Sequence, residues 1–484
     1  MQDNAERNII QDADILLVIT PPVFTMMPHI GVAYLSSFLR HRGFRVDVYD
    51  LSLRLFNKAR QGLKRFWGVD CVNSFFQEQI AENISKNFTR ELDGFVEDLL
   101  STRTKAIGFS VNLISIYLAN KIAEKIKRRD PGRLIIFGGP GTFFKHPRDL
   151  VIPTFADIYV IGEGENTLLS ILRAYYNNAK ITSSPGILLA KDLGKIKPLL
   201  PEAIQDLNQI PFPDFSGFRL REYNQGFDYK PLPLLLSRGC IRRCTYCIDH
   251  IMWPKYRFRA PSQIMEEINY HMLKNNTRAF EFIDLICNGN LEQLSGISDL
   301  IIESKLKFEW VSYAIIRKDM EFSLFSKLNQ AGCHTLIYGV ESGSDRILKK
   351  MGKAYTAQEA SEVIRNTHQS GICTNINIIV GFPGETEEDF NQTIDFVLKN
   401  KDYIDEITNI SGFTLFPAAE VGVNKDNYGV YWQEGTDPML FTDSNGLDRQ
   451  ARNKRVAKLV GIVNDLKLNR AIVNKPVLNP KVRQ

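Results

Sequence analysis

The stretch SRGCIRRCTYCIDH, residues 237–250, holds Cys240, Cys244 and Cys247. The chain has only seven cysteines in 484 residues, so three in one short loop call for a chemical cause. Thiolates spaced Cys-x3-Cys-x2-Cys favour a metal over a purely structural use. A structural zinc takes four protein ligands, and His250 follows Cys247 after two residues, so a Cys3His zinc site is one reading. The other is an iron–sulfur cubane held by three thiolates with one iron left open. The preceding PLPLLLSRGC reads as a short apolar strand that delivers Cys240 to a loop.

Around this loop the chain is ordinary globular protein, with 44% hydrophobic and 24% charged residues. Its length implies two or three domains. A net charge of +5 with no strong basic run gives no sign of a nucleic-acid partner. The polar start MQDNAERNIIQDAD is no secretory signal, and no apolar run is long enough to suggest a membrane span. An odd cysteine count with a tight cluster implies a reducing, cytoplasmic setting.

The first 185 residues alternate strand-like and helix-like segments. DILLVITPP, FRVDVYDL, AIGFSVN, LIIFGGPG and DIYVIGEGE read as strands, with helices at IGVAYLSSFLRHRG, LANKIAEKIKRRD and NTLLSILRAYY. Such alternation predicts an α/β fold with a parallel, doubly wound, Rossmann-like sheet. Ligands bind at the carboxyl edge of such sheets. That edge is rich in turn residues here: Pro21-Pro22, Ser110, Gly138-Gly139-Pro140 and Gly162-Glu163-Gly164-Glu165. Four such loops predict a bound cofactor, and the lack of Gly-x-Gly-x-x-Gly argues against a nicotinamide dinucleotide. Residues 52–105 read as a helical insertion placed over the cofactor or at the domain interface. Residues 186–228, with the hairpin-like SSPGILLAKDLGKIKPLL and the proline-spaced LNQIPFPDFSGF, read as a linker.

The cysteine spacing, with Tyr246 just before the last cysteine, resembles the signature of the radical S-adenosylmethionine (SAM) enzymes. That resemblance implies a [4Fe–4S] cluster on Cys240, Cys244 and Cys247, with SAM chelating the open iron. One electron then cleaves SAM to a 5′-deoxyadenosyl radical. It also implies a six-stranded partial (β/α)6 barrel over residues 229–420, and the strand-like SRGC, RAFEFIDLIC, KFEWVSYAII, HTLIYGVESGS, CTNINIIVGFPG and EITNISGFTLFP supply six strands. By the same resemblance Glu341, Ser342 and Gly343 lie near the ribose and methionyl part of SAM, and Gly381, Phe382 and Pro383 near the adenine. Arg317 is a candidate partner for the SAM carboxylate. Two departures stand out. Ile-Asp-Leu, with Asp284, replaces the usual Gly-Gly-Glu, and FPAAE replaces Pro-Gly-Thr after the sixth strand. Cys287, Cys333 and Cys373 read as buried, apolar-like residues. Cys71, His41, His146, His271, His334 and His368 form no motif.

A Rossmann-like domain before this barrel resembles the cobalamin-binding subgroup, through PP…HIG, IGFS, GGP and GEGE in that order. The resemblance implies cobalamin between the two domains, with Ser110, Asn112, Gly138, Gly139 and Glu163 contacting the corrin or the nucleotide tail. Asp-x-His-x-x-Gly is absent, so no histidine ligand to cobalt is expected, and His29 reads as a helix-start residue. The expected activity is methyl transfer to an unactivated carbon, through methylcobalamin and the 5′-deoxyadenosyl radical. The substrate is a small molecule, lipid or peptide, and the electron donor a flavodoxin or ferredoxin. A cyclase or rearrangement enzyme without methyl transfer is the nearer rival, and a zinc protein with a Rossmann-like ligand sensor the further one. In the C-terminal extension, residues 421–484, a basic helix carries Val456, Leu459, Val460 and Val463 on one side. Packing against the barrel is its first reading and membrane-surface contact its second.

Overall fold

The computed structural model describes residues 11–68, 77–144, 154–225, 230–433 and 440–468; Cys71 and His146 lie outside them. The chain forms two units, Met1–Gln205 with Gln209–Gln225, and Asp206–Asn208 with Gly226–Gln484. Residues 209–225, which read as linker in the sequence, belong to the first unit. No described helix is long and apolar enough to cross a membrane.

The first unit is built on β1 (Ile15–Ile19), α1 (Ile30–Arg40), β2 (Val46–Asp50), α2 (Leu51–Lys58), α3 (Gln77–Asn87), α4 (Thr89–Leu100), β3 (Ala106–Ser110), α5 (Ser115–Arg129), β4 (Leu134–Gly138), β5 (Ile158–Val160), α6 (Glu165–Tyr176) and β6 (Ile187–Leu189). Its sheet order is β2-β1-β3-β4-β5-β6. All pairs are parallel except β5–β6, so the hairpin-like linker segment supplies an antiparallel edge strand. The segment read as an insertion is a structural layer. Leu51, Leu55, Ile80, Ile84, Leu92, Phe95 and Leu99 share one core with Leu16, Val18, Ile107 and Phe137 of the sheet. Those helices cover one sheet face and bury their apolar stripe against it, which is why this crossover is long.

The second unit carries β7 (Leu232–Leu234), α7 (Pro261–Lys274), β8 (Ala279–Phe282), α8 (Leu291–Ser304), β9 (Glu309–Ala314), α9 (Phe322–Gln330), β10 (Cys333–Glu341), α10 (Ala357–Gln369), β11 (Cys373–Val380), α11 (Glu387–Asn400) and β12 (Glu406–Gly412). The six strands are parallel in the order β12-β11-β10-β9-β8-β7, the partial βα barrel that the resemblance implies. In β11, on which α10 packs, Thr374, Ile376, Ile378 and Val380 are buried at alternate positions, and Asn375 between them is buried too. Asn375 and Asn377 therefore project from the opposite, inner face. The last helix, α12 (Arg449–Asp465), packs on β12 and β11 with Leu459 and Val463 buried, and Val456 and Val460 half-buried. Packing on the sheet is the use of its apolar side that the structure displays.

Candidate functional site

The cysteine loop leaves the carboxyl end of β7 under several restraints. Ser237–Arg238 pair antiparallel with Arg257–Phe258. Gly239 has φ +92°, and a Cβ there would sit 2.5 Å from the Lys255 carbonyl, so only glycine fits this turn. Asp284, at the end of β8, accepts hydrogen bonds from the Leu236 amide at 3.0 Å, the Ser237 hydroxyl at 2.6 Å and the Ser237 amide. The residue that stands in for Gly-Gly-Glu is thus spent on anchoring the strand end that carries Cys240. Thr245 braces the middle of the loop. Its amide donates to the Met351 carbonyl at 3.0 Å, its hydroxyl to the Lys350 carbonyl at 3.0 Å, and its carbonyl accepts from the Val421 amide at 3.0 Å. The last of these bonds ties the divergent FPAAE segment back to the cysteine loop.

Cys240, Cys244 and Cys247 are free, half-buried thiols, whereas Cys287 and Cys333 are buried in the core and Cys373 is half-buried. Burial raises the Cys240 thiol, and burial with the Asp249 charge pushes Cys247 up to about 12. A cationic metal centre that displaces both protons would reverse this. Among the described residues no three His, Cys, Asp or Glu side chains converge as a single metal ion requires.

Facing the loop is a buried polar group that sequence reading found only in part. Glu341 ends β10 with φ +68°, a left-handed conformation that costs a non-glycine residue about 1–3 kcal/mol unless its surroundings enforce it. The enforcement is visible. The Tyr246 hydroxyl donates to Glu341 Oε1 at 2.9 Å, and Lys353 Nζ donates to the same oxygen at 3.1 Å. The Lys353 ammonium also lies 5.5 Å from the centroid of the Tyr246 ring. The Tyr355 hydroxyl closes the group on the Gly339 and Val340 carbonyls, each at 2.9 Å. Burial opposes the charge on Lys353, but Glu341 and the adjacent tyrosines hold its ammonium well above the ordinary range. Burial and the Glu341 charge raise the Tyr246 phenol. Lys353 stands within the motif GVESGSDRILKKMGK, twelve residues after Glu341, and only a fold that turns the chain back on itself makes them neighbours.

The other expected SAM residues are structurally committed. The Ser342 hydroxyl lies 3.2 Å from Thr393 Oγ1, and a Cβ on Gly343 would meet the Gln392 carbonyl at 2.5 Å, so this glycine admits α11. The Gly381 and Gly384 amides donate to Glu385 and Asp443, both at 2.7 Å, and Phe382 is fully buried in an aromatic cluster with Phe413 and Phe441. Pro383 is buried beside it. Arg452 of α12 fills the space over Gly381, which any side chain there would need. Arg317 spends its guanidinium on Asp319 at 2.8 Å and on the Asn288 and Gly289 carbonyls at 2.9 and 3.0 Å. It fastens the loop after β8.

In the first unit, strand register sets Ile19, Ser110 and Gly138 side by side at the carboxyl edge. Gly139, φ +104°, leaves only 2.8 Å between a Cβ and the Val111 carbonyl. Asn112 is a local cap: its side-chain Oδ1 accepts from the Ile114 and Ser115 amides at 2.9 and 2.8 Å. Glu163 accepts from the Ile204 amide at 3.1 Å. His29 caps α1 through Nδ1, 3.3 Å from the Val32 amide, as its reading as a helix-start residue expects, with Nε2 3.5 Å from Ser110 Oγ. Thr20, which the sequence reading passed over, puts a fully buried hydroxyl with no hydrogen-bond partner beside these strand ends. A buried orphan at a ligand-binding edge fits a polar cofactor there.

Residues 234–397 match the family model of the radical SAM superfamily. The chain is 27% identical over 320 residues to an uncharacterized methyltransferase of Pyrococcus horikoshii, covering 64% of this chain and 69% of that protein. It is 23% identical over 408 residues to an anaerobic magnesium-protoporphyrin IX monomethyl ester cyclase of Rubrivivax gelatinosus, covering 81% of this chain but 65% of the cyclase. Among solved structures, the radical SAM methyltransferase TsrM of Kitasatospora setae, with cobalamin and a [4Fe–4S] cluster bound, superposes with a TM-score of 0.66 at 16% identity, covering 92% of this chain and 91% of that one. The cobalamin-dependent radical SAM enzyme OxsB, with aqua-cobalamin and SAM bound, superposes with a TM-score of 0.64 at 18% identity, covering 96% of this chain and 63% of OxsB. Residues 234–397 thus match a radical SAM domain, and the chain shares the fold of TsrM and OxsB.

Proposed function

We propose that this protein is a cobalamin-dependent radical SAM methyltransferase that methylates an unactivated carbon. The observation that carries the reading is the cysteine loop at the end of β7, facing the Tyr246–Glu341–Lys353 group at the end of β10. Cys240, Cys244 and Cys247 would hold the [4Fe–4S] cluster. Glu341 and Tyr246 would present polar atoms to SAM, while Ser342, Gly343, Gly381, Phe382 and Pro383 shape the strand ends around it. Arg317 would act by holding the loop after β8, its donors being engaged there. In the first unit Thr20, Ser110, Gly138, Gly139 and Glu163 would receive cobalamin at the sheet edge, with Asn112 fixing the loop. When bound, the cluster supplies the electron that cleaves SAM, and cobalamin supplies a methyl carrier. The partners on this reading are a small-molecule substrate and an electron donor such as flavodoxin or ferredoxin.

A cyclase or rearrangement reaction is the second reading, supported by the cyclase relative that spans most of this chain. Product ratios separate the two. A methyltransferase of this design consumes one SAM as methyl donor and one as radical source, so S-adenosylhomocysteine and 5′-deoxyadenosine form in about equal amounts, each matching methylated product. Deoxyadenosine with unmethylated product, and S-adenosylhomocysteine at background, would establish the cyclase instead.

A further inference from the structure

The turn after β11, residues 381–385, is held in shape from the C-terminal extension. Gly381 and Gly384 have φ +77° and +82°, so the chain makes two left-handed bends within four residues. Glycine has the most conformational freedom to lose, so such a turn is fixed by its partners rather than by its own residues. Inside the turn the Gly381 amide donates to Glu385 Oε2 at 2.7 Å, and the Glu385 amide to the Phe382 carbonyl at 2.8 Å. Arg346 donates to the Gly384 carbonyl at 2.7 Å.

Three further partners come from the extension. Arg455 Nη1 donates to Glu385 Oε2 at 2.6 Å and to the Glu385 carbonyl at 3.3 Å. Asp443 accepts from the Gly384 amide at 2.7 Å. Arg452 lies against the turn, its Cγ 2.4 Å from where a Cβ on Gly381 would sit. The Arg452 guanidinium packs 3.7 Å from the centroid of the Phe441 ring and donates to the Leu447 and Phe441 carbonyls at 2.8 and 3.0 Å. Those bonds fix the loop that carries Asp443. The Glu385 side chain keeps 1% of its exposure and that of Arg455 12%, so this is a buried charge with a nearly buried partner. Burial pushes the Glu385 carboxyl up to about 7, while the Gly381 amide and Arg455 pull the other way. Without Arg455 the group takes up a proton at neutral pH, and a neutral carboxyl is the weaker acceptor for the Gly381 amide. Lys458, three residues further along α12, reaches the exposed Glu387 at 3.5 Å.

We infer that Arg455 and Arg452 are positioning residues for SAM: from α12 they hold the turn of residues 381–385 in the one conformation that receives the adenine end. The inference rests on the proposed function, which puts Gly381, Phe382 and Pro383 beside SAM. Both arginines act through the turn and not by touching SAM. A turn released from Arg455 populates other conformations, and SAM affinity falls in proportion to the fraction of molecules that keep the receptive one.

The test uses the full-length, cluster-reconstituted protein and Arg455→Met, with Lys458→Met as control. The probes are SAM and methionine, which carries the chelating end of SAM without the adenosine, and the readout is anaerobic equilibrium dialysis. Arg455→Met should bind SAM at least about ten-fold more weakly, as when about one molecule in ten keeps the receptive turn, while iron content and methionine affinity stay unchanged. Arg455→Lys, which restores a cation beside Glu385, should recover most of the affinity, and Lys458→Met should bind SAM as the native protein does. Unchanged SAM affinity in Arg455→Met, an equal loss for methionine, no recovery in Arg455→Lys or a like loss in Lys458→Met overturns the inference. Hydrogen exchange of the cluster-free protein is a second, independent reading. Peptides covering residues 381–385 should exchange faster in Arg455→Met, and those covering β9 should not. Unchanged exchange at the turn, or a rise throughout the second unit, overturns the inference as well. Native protein that loads iron but binds no SAM overturns the radical SAM reading itself, and the exchange result is read separately from it.

Discussion

Lys353→Met tests the group that faces the cysteine loop. The side chains of Lys353 and Glu341 retain only 8% and 11% of their exposure and pair at 3.1 Å. Removing one partner of a buried pair costs about 3–5 kcal/mol, because the other charge stays buried and uncompensated. The Tyr246 hydroxyl still donates to Glu341 at 2.9 Å in the variant, so the lower end, about 3 kcal/mol, is the reasoned value. For a unit of this size that is a fall of about 6–12 °C in the unfolding midpoint. Calorimetry of the anaerobic protein near neutral pH reads it directly. Glu341→Gln should cost a similar amount, since it strands the lysine. The double variant Glu341→Gln/Lys353→Met should be far less damaged than the sum, with a coupling of about 2 kcal/mol or more. Single losses below about 1 kcal/mol, or simple additivity, would refute the claim that the pair holds Glu341 in its left-handed conformation.

Cys240→Ala, Cys244→Ala and Cys247→Ala should each lose iron–sulfur absorption and SAM cleavage, whereas Cys287→Ala, buried in the core, keeps its iron; a triple variant that retains a full cluster would sink the assignment. Burial holds the His29 imidazole down to about 4, so the unfolded chain takes up its proton first as pH falls below 6.5. The first unit should lose about 3 kcal/mol between pH 6.5 and 4, and His29→Asn, which keeps the cap, should remove that loss in pH-dependent urea titrations. Gly343→Ala should destabilise the second unit by about 1–3 kcal/mol or more, because its methyl group meets the Gln392 carbonyl and Phe396 of α11; an unchanged denaturation midpoint would show that α11 can move aside.

The barrel was legible because the cysteine spacing resembles that of a family with this fold, and the strand pattern agrees with it. Six strand–helix units each announce themselves in period and punctuation, and Cys240, Cys244 and Cys247 lie on a single loop. The helices between β2 and β3 were also legible as helices, but not as a core layer. Their apolar stripes, Leu51 and Leu55 or Ile80 and Ile84, specify burial without saying against what, and only the sheet of β1, β3 and β4 supplies the answer. The strand Ile187–Leu189 failed for the same reason: three residues carry too little pattern to distinguish a sheet edge from a hairpin. Lys353 ends the motif GVESGSDRILKKMGK, but its pairing with Glu341 was invisible because a turn of the chain, not the spacing, makes them neighbours.

Asp284 shows why a motif departure is not simply a lost contact. A carboxylate at the end of the second barrel strand has two possible uses, towards a ligand above the sheet or towards the backbone of the neighbouring strand. Burial pushes its pKa up to about 6, which disfavours the charged form, while the Leu236 and Ser237 amides and the Ser237 hydroxyl favour it. Those three donors all come from the three-residue stretch before Gly239 and the cysteine loop. A carboxylate so placed fixes where β7 ends, and therefore where Cys240 begins the loop. On the proposed function, polar contacts to SAM would then come from elsewhere among the strand ends, and Glu341, with φ +68° and held by Tyr246 from within the cysteine loop itself, has the chemistry for it. Cluster loop and strand end are thus joined by one hydrogen bond, so a change at either one is felt at the other.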